Sequence, residues 1–214
     1  MGRDWTRKEL EEEIIGKMTA VTIPVNVSFD GKQRFLDMGE VETILREADL
    51  IVQHECGCRE RVGNCIEPMD GCLSLNDHAR RQIERHGAGP ICIEDALEAL
   101  RRTHEAGLVH TAYTFTGEDE IGVICSCCSC CCHSLSAAVR FGFEDHLFTS
   151  KYIASHDEDA CSDCGTCVER CQFGAMHEGK EGVEFSPEKC FGCGVCLRTC
   201  PQGAIGLVGR AGIK

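Results

Sequence analysis

Apolar positions along the first two thirds of the chain recur in two rhythms, and each rhythm predicts its element. Thr6-x-x-Glu9 has the form of a capping box, in which hydroxyl and carboxylate satisfy two helix-end N–H groups reciprocally. It opens a helix with Leu10, Ile14 and Met18 on one face. From Ala20 to Phe29 the pattern alternates, with Val21, Ile23, Val25, Val27 and Phe29 set against Thr22, Asn26 and Ser28, which predicts a half-buried strand. Pro24 has no N–H to give a neighbour and places that strand at an edge or a bulge. Asp30-Gly31 predicts a hairpin turn, with Lys32 to Leu36 returning beside the strand. The helical rhythm resumes from Glu40 to Val52, with Val41, Ile44, Leu45, Ala48 and Ile51 inward. Two further helices are expected, Leu75 to His86 closed by Gly87 and Ile93 to Ala106 closed by Gly107, with Leu97, Leu100 and His104 on one face of the second. Leu108 to Thr116 and Ile121 to Cys125 read as a hairpin around Gly117-Glu118-Asp119. Ser134 to Val139 is helix-like, and Phe141 to Ala160 reads as a linker with the acidic run Asp157-Glu158-Asp159. A short hairpin over Met176 to Phe185 and a closing strand over Ile205 to Val208 complete the pattern.

Composition narrows the setting. The chain has 214 residues, of which 43% are hydrophobic, enough for one or two domains with a core of their own. Its 35 acidic and 22 basic residues give a net charge of −13, which repels nucleic acid and suits a partner with a basic docking patch. Met1 to Met18 is charged and carries no apolar run, so no secretory leader is expected, and no membrane span is expected anywhere. The 19 cysteines change the picture most. Thiols in that number point to a reducing cytoplasm, with metal sites rather than disulfides.

Eight of them form two runs of one pattern, C-x2-C-x2-C-x3-C: Cys161, Cys164, Cys167, Cys171, and then Cys190, Cys193, Cys196, Cys200 with Pro201 behind. The second run starts 29 residues after the first, and Gly174-Ala175-Met176 repeats as Gly203-Ala204-Ile205. The segment resembles the bacterial two-[4Fe–4S] ferredoxin, whose spacing this is. The resemblance implies two [4Fe–4S] clusters with crossed ligation. Cys161, Cys164, Cys167 and Cys200 would hold the first, and Cys190, Cys193, Cys196 and Cys171 the second. Gln172 departs from the pattern, since proline is usual there.

Ten more cysteines fall in two groups upstream. Cys56, Cys58, Cys65 and Cys72 cross a segment rich in turn residues, with Arg59 set to sit near thiolate charge. Cys125, Cys127, Cys128, Cys130, Cys131 and Cys132 lie between a strand and a helix. Adjacent cysteines point in different directions, so one site does not use them all. A subset of the ten is expected to hold at least one further iron–sulfur cluster, with zinc as the alternative metal. His54 and His133 flank these groups, and Cys92, alone in an apolar setting, reads as a small buried hydrophobe. The Cys-Cys pairs distantly resemble those of heterodisulfide-reductase-like proteins. The leader as a whole looks like that of anaerobic ferredoxin-domain iron–sulfur proteins of unassigned role.

The expected architecture is therefore α+β: a cysteine-rich mixed α/β domain over residues 1–150, followed by a two-[4Fe–4S] ferredoxin-like domain over 151–214. The expected function is an iron–sulfur electron-transfer protein or subunit, serving a flavin- or metal-containing oxidoreductase. The competing readings are a reductase acting on a disulfide or small molecule at Cys125–Cys132, and an iron–sulfur redox sensor. No histidine, nucleophile and carboxylate constellation and no phosphate-binding glycine loop suggests other chemistry.

Overall fold

The computed structural model describes residues 2–23, 37–143 and 146–210. The continuation of the alternating strand to Phe29, the Asp30-Gly31 turn and the return to Leu36 lie outside them. The architecture is α+β. Among the described residues the leader builds a six-stranded sheet, order β2-β3-β5-β4-β1-β6, from β1 (Met18–Ile23), β2 (Ile51–His54), β3 (Cys72–Leu75), β4 (Val109–Phe115), β5 (Val123–Cys127) and β6 (Leu147–Phe148). The β1–β6 pair is parallel and the others are antiparallel.

The two faces of this sheet have different work. On one, Ile51, Leu73, Leu75, Ala112 and Ile124 form a dry core with α2 (Asp37–Glu47) and α5 (Ile93–Glu105), through Val41, Leu45, Ala96 and Leu100. The alternation of side chains along a strand then sends Cys72, Cys125 and Cys127 to the opposite face. α4 (Asn76–His86) packs on β2 and β3, and it ends where Gly87 adopts φ 66°, the left-handed C-terminal stop. α1 (Arg7–Ile14) keeps its capping box, buries Leu10 and Ile14, and packs against α6 (His133–Phe141).

Several expectations need correction. The helix that starts near residue 40 stops at Glu47, and Ile51 and Val52 belong to β2, because antiparallel pairing with β3 holds them as strand. Met18 belongs to β1 rather than to the first helix. In β1 the inward residues are Ala20 and Thr22, while Val21 is 36% exposed. The cause lies downstream: Thr22 Oγ1 donates to Phe191 O at 2.7 Å, so the C-terminal part covers that face. The stretch 141–160 is more than a linker, since it carries β6 and β7 (Tyr152–His156). Cys92 is exposed at the N-terminus of α5, not buried.

In the last third, β7 pairs antiparallel with β10 (Ile205–Gly209), closing the segment end to end. Between them lie the short α7 (Thr166–Arg170) and the hairpin of β8 (Met176–Glu178) and β9 (Val183–Phe185). Their core joins Tyr152, Ala154, Met176, Ile205 and Leu207 to the cysteines Cys167 and Cys190.

Candidate metal centres

Two small cavities open in the last third, each walled by four cysteines. One is lined by Cys161, Cys164, Cys167 and Cys200, with His156, Val183 and Ile205. The other is lined by Cys171, Cys190, Cys193 and Cys196, with Phe173, Met176, Phe191 and Leu207. Each cavity thus draws three cysteines from one run and the fourth from the other. Backbone N–H groups already point at sulfur: Asp163 N to Cys161 Sγ at 3.4 Å, Ala175 N to Cys171 Sγ at 3.2 Å and Ala204 N to Cys200 Sγ at 3.3 Å. A four-thiol wall, an apolar lining and N–H donors aimed at the sulfurs fit a [4Fe–4S] cluster. Gly192 shows how tightly the second loop is built. Its φ is 71°, and an added Cβ would fall 2.0 Å from Tyr152 O. The two cavities differ in access. Cys164 is exposed, and so are Asp157, Glu158, Asp159 and Asp163, which lie within seven residues of it in the chain. In the second cavity burial pushes the Cys193 thiol up to about 12.

The leader's ten cysteines divide into two sets. The first surrounds an open cleft that encloses about 740 Å³ including its mouth, lined by Cys56, Cys58, Cys72, Cys125, Cys127 and Cys132. These six thiols interact around a closed ring, Cys56 to Cys58 to Cys132 to Cys127 to Cys125 to Cys72 and back to Cys56. Local structure explains the grouping. Cys125 and Cys127 are two apart on β5 and share its face, and Cys72 is the register partner of Cys125. Cys56 and Cys58 open α3 (Gly57–Val62), and Cys132 precedes α6. Trp5, Tyr113, His54 and His133 complete the wall. His133 Nδ1 lies 3.1 Å from Cys58 Sγ, and Tyr113 Oη lies 3.6 Å from the sulfurs of both Cys127 and Cys132. The ring polarises its own protons. Hydrogen bonding with Cys127 and Cys72, then burial, pushes the Cys125 thiol well up. Thiols of Cys127 and Cys58 donating to it hold Cys132 well down against burial.

The second set is Cys65, Cys128, Cys130 and Cys131, whose sulfurs all lie within 4.8 Å of one another. Between the two sets sits Arg59, only 2% exposed. Its Nη2 donates to Ser126 O at 2.8 Å and its Nη1 reaches Cys128 Sγ at 3.6 Å. Burial works against its charge, but the nearby thiolates of Cys56 and Cys128 outweigh this and raise its pKa. The C-x-C-R spacing carried that signal. Sequence reasoning gave His133 little weight as a flanking histidine, and it missed Tyr113, an ordinary strand tyrosine whose partners arrive only with the fold.

The leader and the last third meet at the second cavity. Val195, 3% exposed, is buried in one apolar cluster with Cys127, Cys132 and Leu135, and Phe173, Phe191 and Cys193 pack against it. Ser129 N and Oγ both donate to Gln172 Oε1, at 3.0 and 2.8 Å.

Residues 160–205 match the family described as the 4Fe-4S dicluster domain, a match confined to the ferredoxin-like repeat. No curated protein matches the chain. The chain thus carries a ferredoxin-like iron–sulfur domain behind a cysteine-rich leader. Among the described residues no helix is long and apolar enough to cross a membrane.

Proposed function

We propose that the protein is an electron carrier or electron-transfer subunit of two units, 1–150 and 151–214, working in a reducing compartment beside an oxidoreductase. Its clusters, when bound, take up and release one electron each, and the protein sets their potentials by hydrogen bonds, charge and burial. Cys161, Cys164, Cys167 and Cys200 hold one [4Fe–4S] cluster, and Cys190, Cys193, Cys196 and Cys171 hold the other. The crossed lining of the two cavities supports this reading. A further iron–sulfur cluster sits in the leader cleft, held by four members of the six-thiol ring.

The observation that carries the proposal is continuity. The second ferredoxin-like cavity and the six-thiol cleft share one apolar cluster through Cys193, Val195, Cys127 and Cys132. The first cavity sits away from that junction, with Cys164 and an acidic rim exposed. The chain therefore presents an outer docking edge, a buried middle and a second opening at the leader cleft. An electron entering at Cys164 would pass through the pair to the leader.

Metal and sulfide analysis of the anaerobic full-length protein tests the cluster count. About 12 iron with equal sulfide is expected, and about 8 would reject the leader cluster. Cys200→Ser tests the crossing. It is expected to disturb the paramagnetically shifted β-proton resonances of Cys161, Cys164 and Cys167. A disturbance confined to Cys190, Cys193 and Cys196 would reject the ligand sets.

One observation favours a second reading, a reductase acting on a small disulfide at the cleft. Six thiols with His133 exceed the four ligands of a cubane, and the cleft is open. Reduction of a small aromatic disulfide by the fully reduced protein, abolished in Cys58→Ser with cluster iron intact, would establish it in place of simple carriage.

A further inference from the structure

We infer that Cys65, Cys128, Cys130 and Cys131 form a mononuclear tetrathiolate site for one divalent metal ion, separate from every cluster site in the chain. It stands apart from the proposed leader cluster, because it uses none of the six thiols that line the cleft.

The distances decide the nuclearity. Cys65 Sγ lies 3.7 Å from Cys128 Sγ and 3.7 Å from Cys131 Sγ, and Cys130 Sγ lies 3.7 Å from Cys131 Sγ. A metal–thiolate bond of about 2.3 Å in tetrahedral geometry sets neighbouring sulfurs about 3.8 Å apart. Three of the six sulfur–sulfur edges already have that length, and the other three are no longer than 4.8 Å. A cubane holds its ligands on four separate irons, which forces the sulfurs much farther apart. The six-thiol ring, spread around an open cleft, has the reach for a cluster; this tight quartet does not.

The surroundings fit an ion as well. Cys128 and Cys131 are buried, so the centre would be shielded. Four thiolates around a divalent ion leave a net double negative charge. Two cations stand close: Arg59 at Cys128 Sγ, and Arg140 Nη1 at 3.5 Å from Cys130 O. Asn64 Nδ2 donates to Cys130 O at 3.1 Å, fixing the loop after α3 against the turn before α6. Four protein ligands close the coordination sphere, which is the arrangement of structural zinc rather than of a catalytic ion. The role follows from the connections. The ion would staple the loop after α3 to the β5–α6 turn. The same turn places Cys127 and Cys132 in the cleft and Ser129 against Gln172. Metal ligation thereby sets the geometry of the junction with the ferredoxin-like part. Ion binding would also release thiol protons, which links the site to folding.

The test uses full-length protein purified anaerobically, with zinc, iron and acid-labile sulfide measured together. One zinc per chain without matching sulfide is expected. One iron in excess of sulfide, with the high-spin ferric signal of a tetrathiolate after mild oxidation, would assign the same site to iron. Cys130→Ser and Cys65→Ser should each lose that one metal and keep the cluster iron and sulfide. Loss of about four iron with four sulfide would overturn the proposal, because the quartet would then belong to a cluster. Should the serine variants fail to fold, cobalt supplied during expression of the unaltered chain gives a second readout. Tetrahedral thiolate-bound cobalt has strong ligand-to-metal charge-transfer bands, and their absence would also overturn it. Cys125→Ser, Cys127→Ser and Cys132→Ser combined separate this proposal from the cluster reading, since three remaining cleft thiols cannot hold a cubane: cluster iron should fall and the single ion should stay in place.

Discussion

At the scale of the residue, Arg59 is the side chain on which the leader's electrostatics turn. A guanidinium 2% exposed is costly unless anions surround it, and here thiolates and Ser126 O do so. The dependence is mutual, since the thiolates need the cation. Arg59→Met is expected to cost about 3 kcal/mol or more of stability, because it leaves buried negative charge uncompensated. Arg59→Lys should recover part of that, keeping the charge but losing the two-pronged geometry. Denaturant unfolding of the metal-loaded protein measures both, and equal stability of all three forms would refute the role. Sequence spacing was enough to set Arg59 beside Cys58. It gave no reason for Gln172, which stands where ferredoxin runs carry proline. The reason is tertiary: Gln172 Oε1 accepts from Ser129, 43 positions earlier, and its Nε2 faces Gly107 O at 3.4 Å. A deviation from a local motif became explicable only with the partner surface present.

At the scale of the element, α1, α4, α5 and α6 were legible, and of the sheet β1, β4 and β5 were expected while β2, β3 and β6 were not. α4 and α5 announced themselves by rhythm and by Gly87 and Gly107. β2 and β3 are four residues each, too short to show a period, and one of their residues that matters is Cys72, which looks polar or apolar according to its ligand. β5 was expected as the second arm of a hairpin with β4, and that pairing is present; its extension to Cys127 and its pairing with β3 were not readable. The division of the cysteines into two sets was not readable, because it depends on which face of β5 and which side of the following turn each sulfur takes. The α5–β4 contact also carries a pH response. His104 and His110 are buried, with rings stacked at 5.8 Å. Burial first, then Arg198, lowers the His104 pKa to about 4; burial first, then His104, lowers that of His110 to about 3. The folded state holds both rings neutral, whereas the unfolded chain takes up protons below about 6.5. The unfolded state therefore binds more protons across this window, and stability falls as pH drops from about 6.5 towards 4. Each ring contributes roughly 1 kcal/mol per pH unit there. His110→Leu should show a smaller loss of unfolding midpoint between pH 7 and pH 5 than the unaltered chain. An equal or larger loss would show that these rings do not carry the acid sensitivity.

At the scale of the whole molecule, charge and cavities are arranged unevenly. The net charge of −13 says only that the surface is acidic, and acidity alone also serves solubility. Placement is more informative. Asp157, Glu158, Asp159 and Asp163 are exposed and lie within seven residues of Cys164, the one cysteine of the two runs that is itself exposed. The second cavity instead meets the leader, through Thr22 on Phe191 O and through Cys127, Cys132 and Leu135 packed with Val195. If electrons are exchanged with a partner at the outer edge, this rim sets the encounter rate, because a field of one sign concentrates reactants of the other. The chemically reduced protein should transfer electrons to a cationic cobalt(III) ammine complex faster than to an anionic cobalt(III) complex of similar potential. Added salt should narrow the gap by screening. Asp157→Asn, Glu158→Gln and Asp159→Asn combined should slow the cationic reaction about tenfold at low salt and leave the cluster spectrum unchanged. Stopped-flow absorbance of the clusters reads both reactions. If the triple variant keeps the original cation preference, electrons leave elsewhere, and the leader cleft, where Trp5, Glu13 and His54 line the opening, becomes the exchange surface.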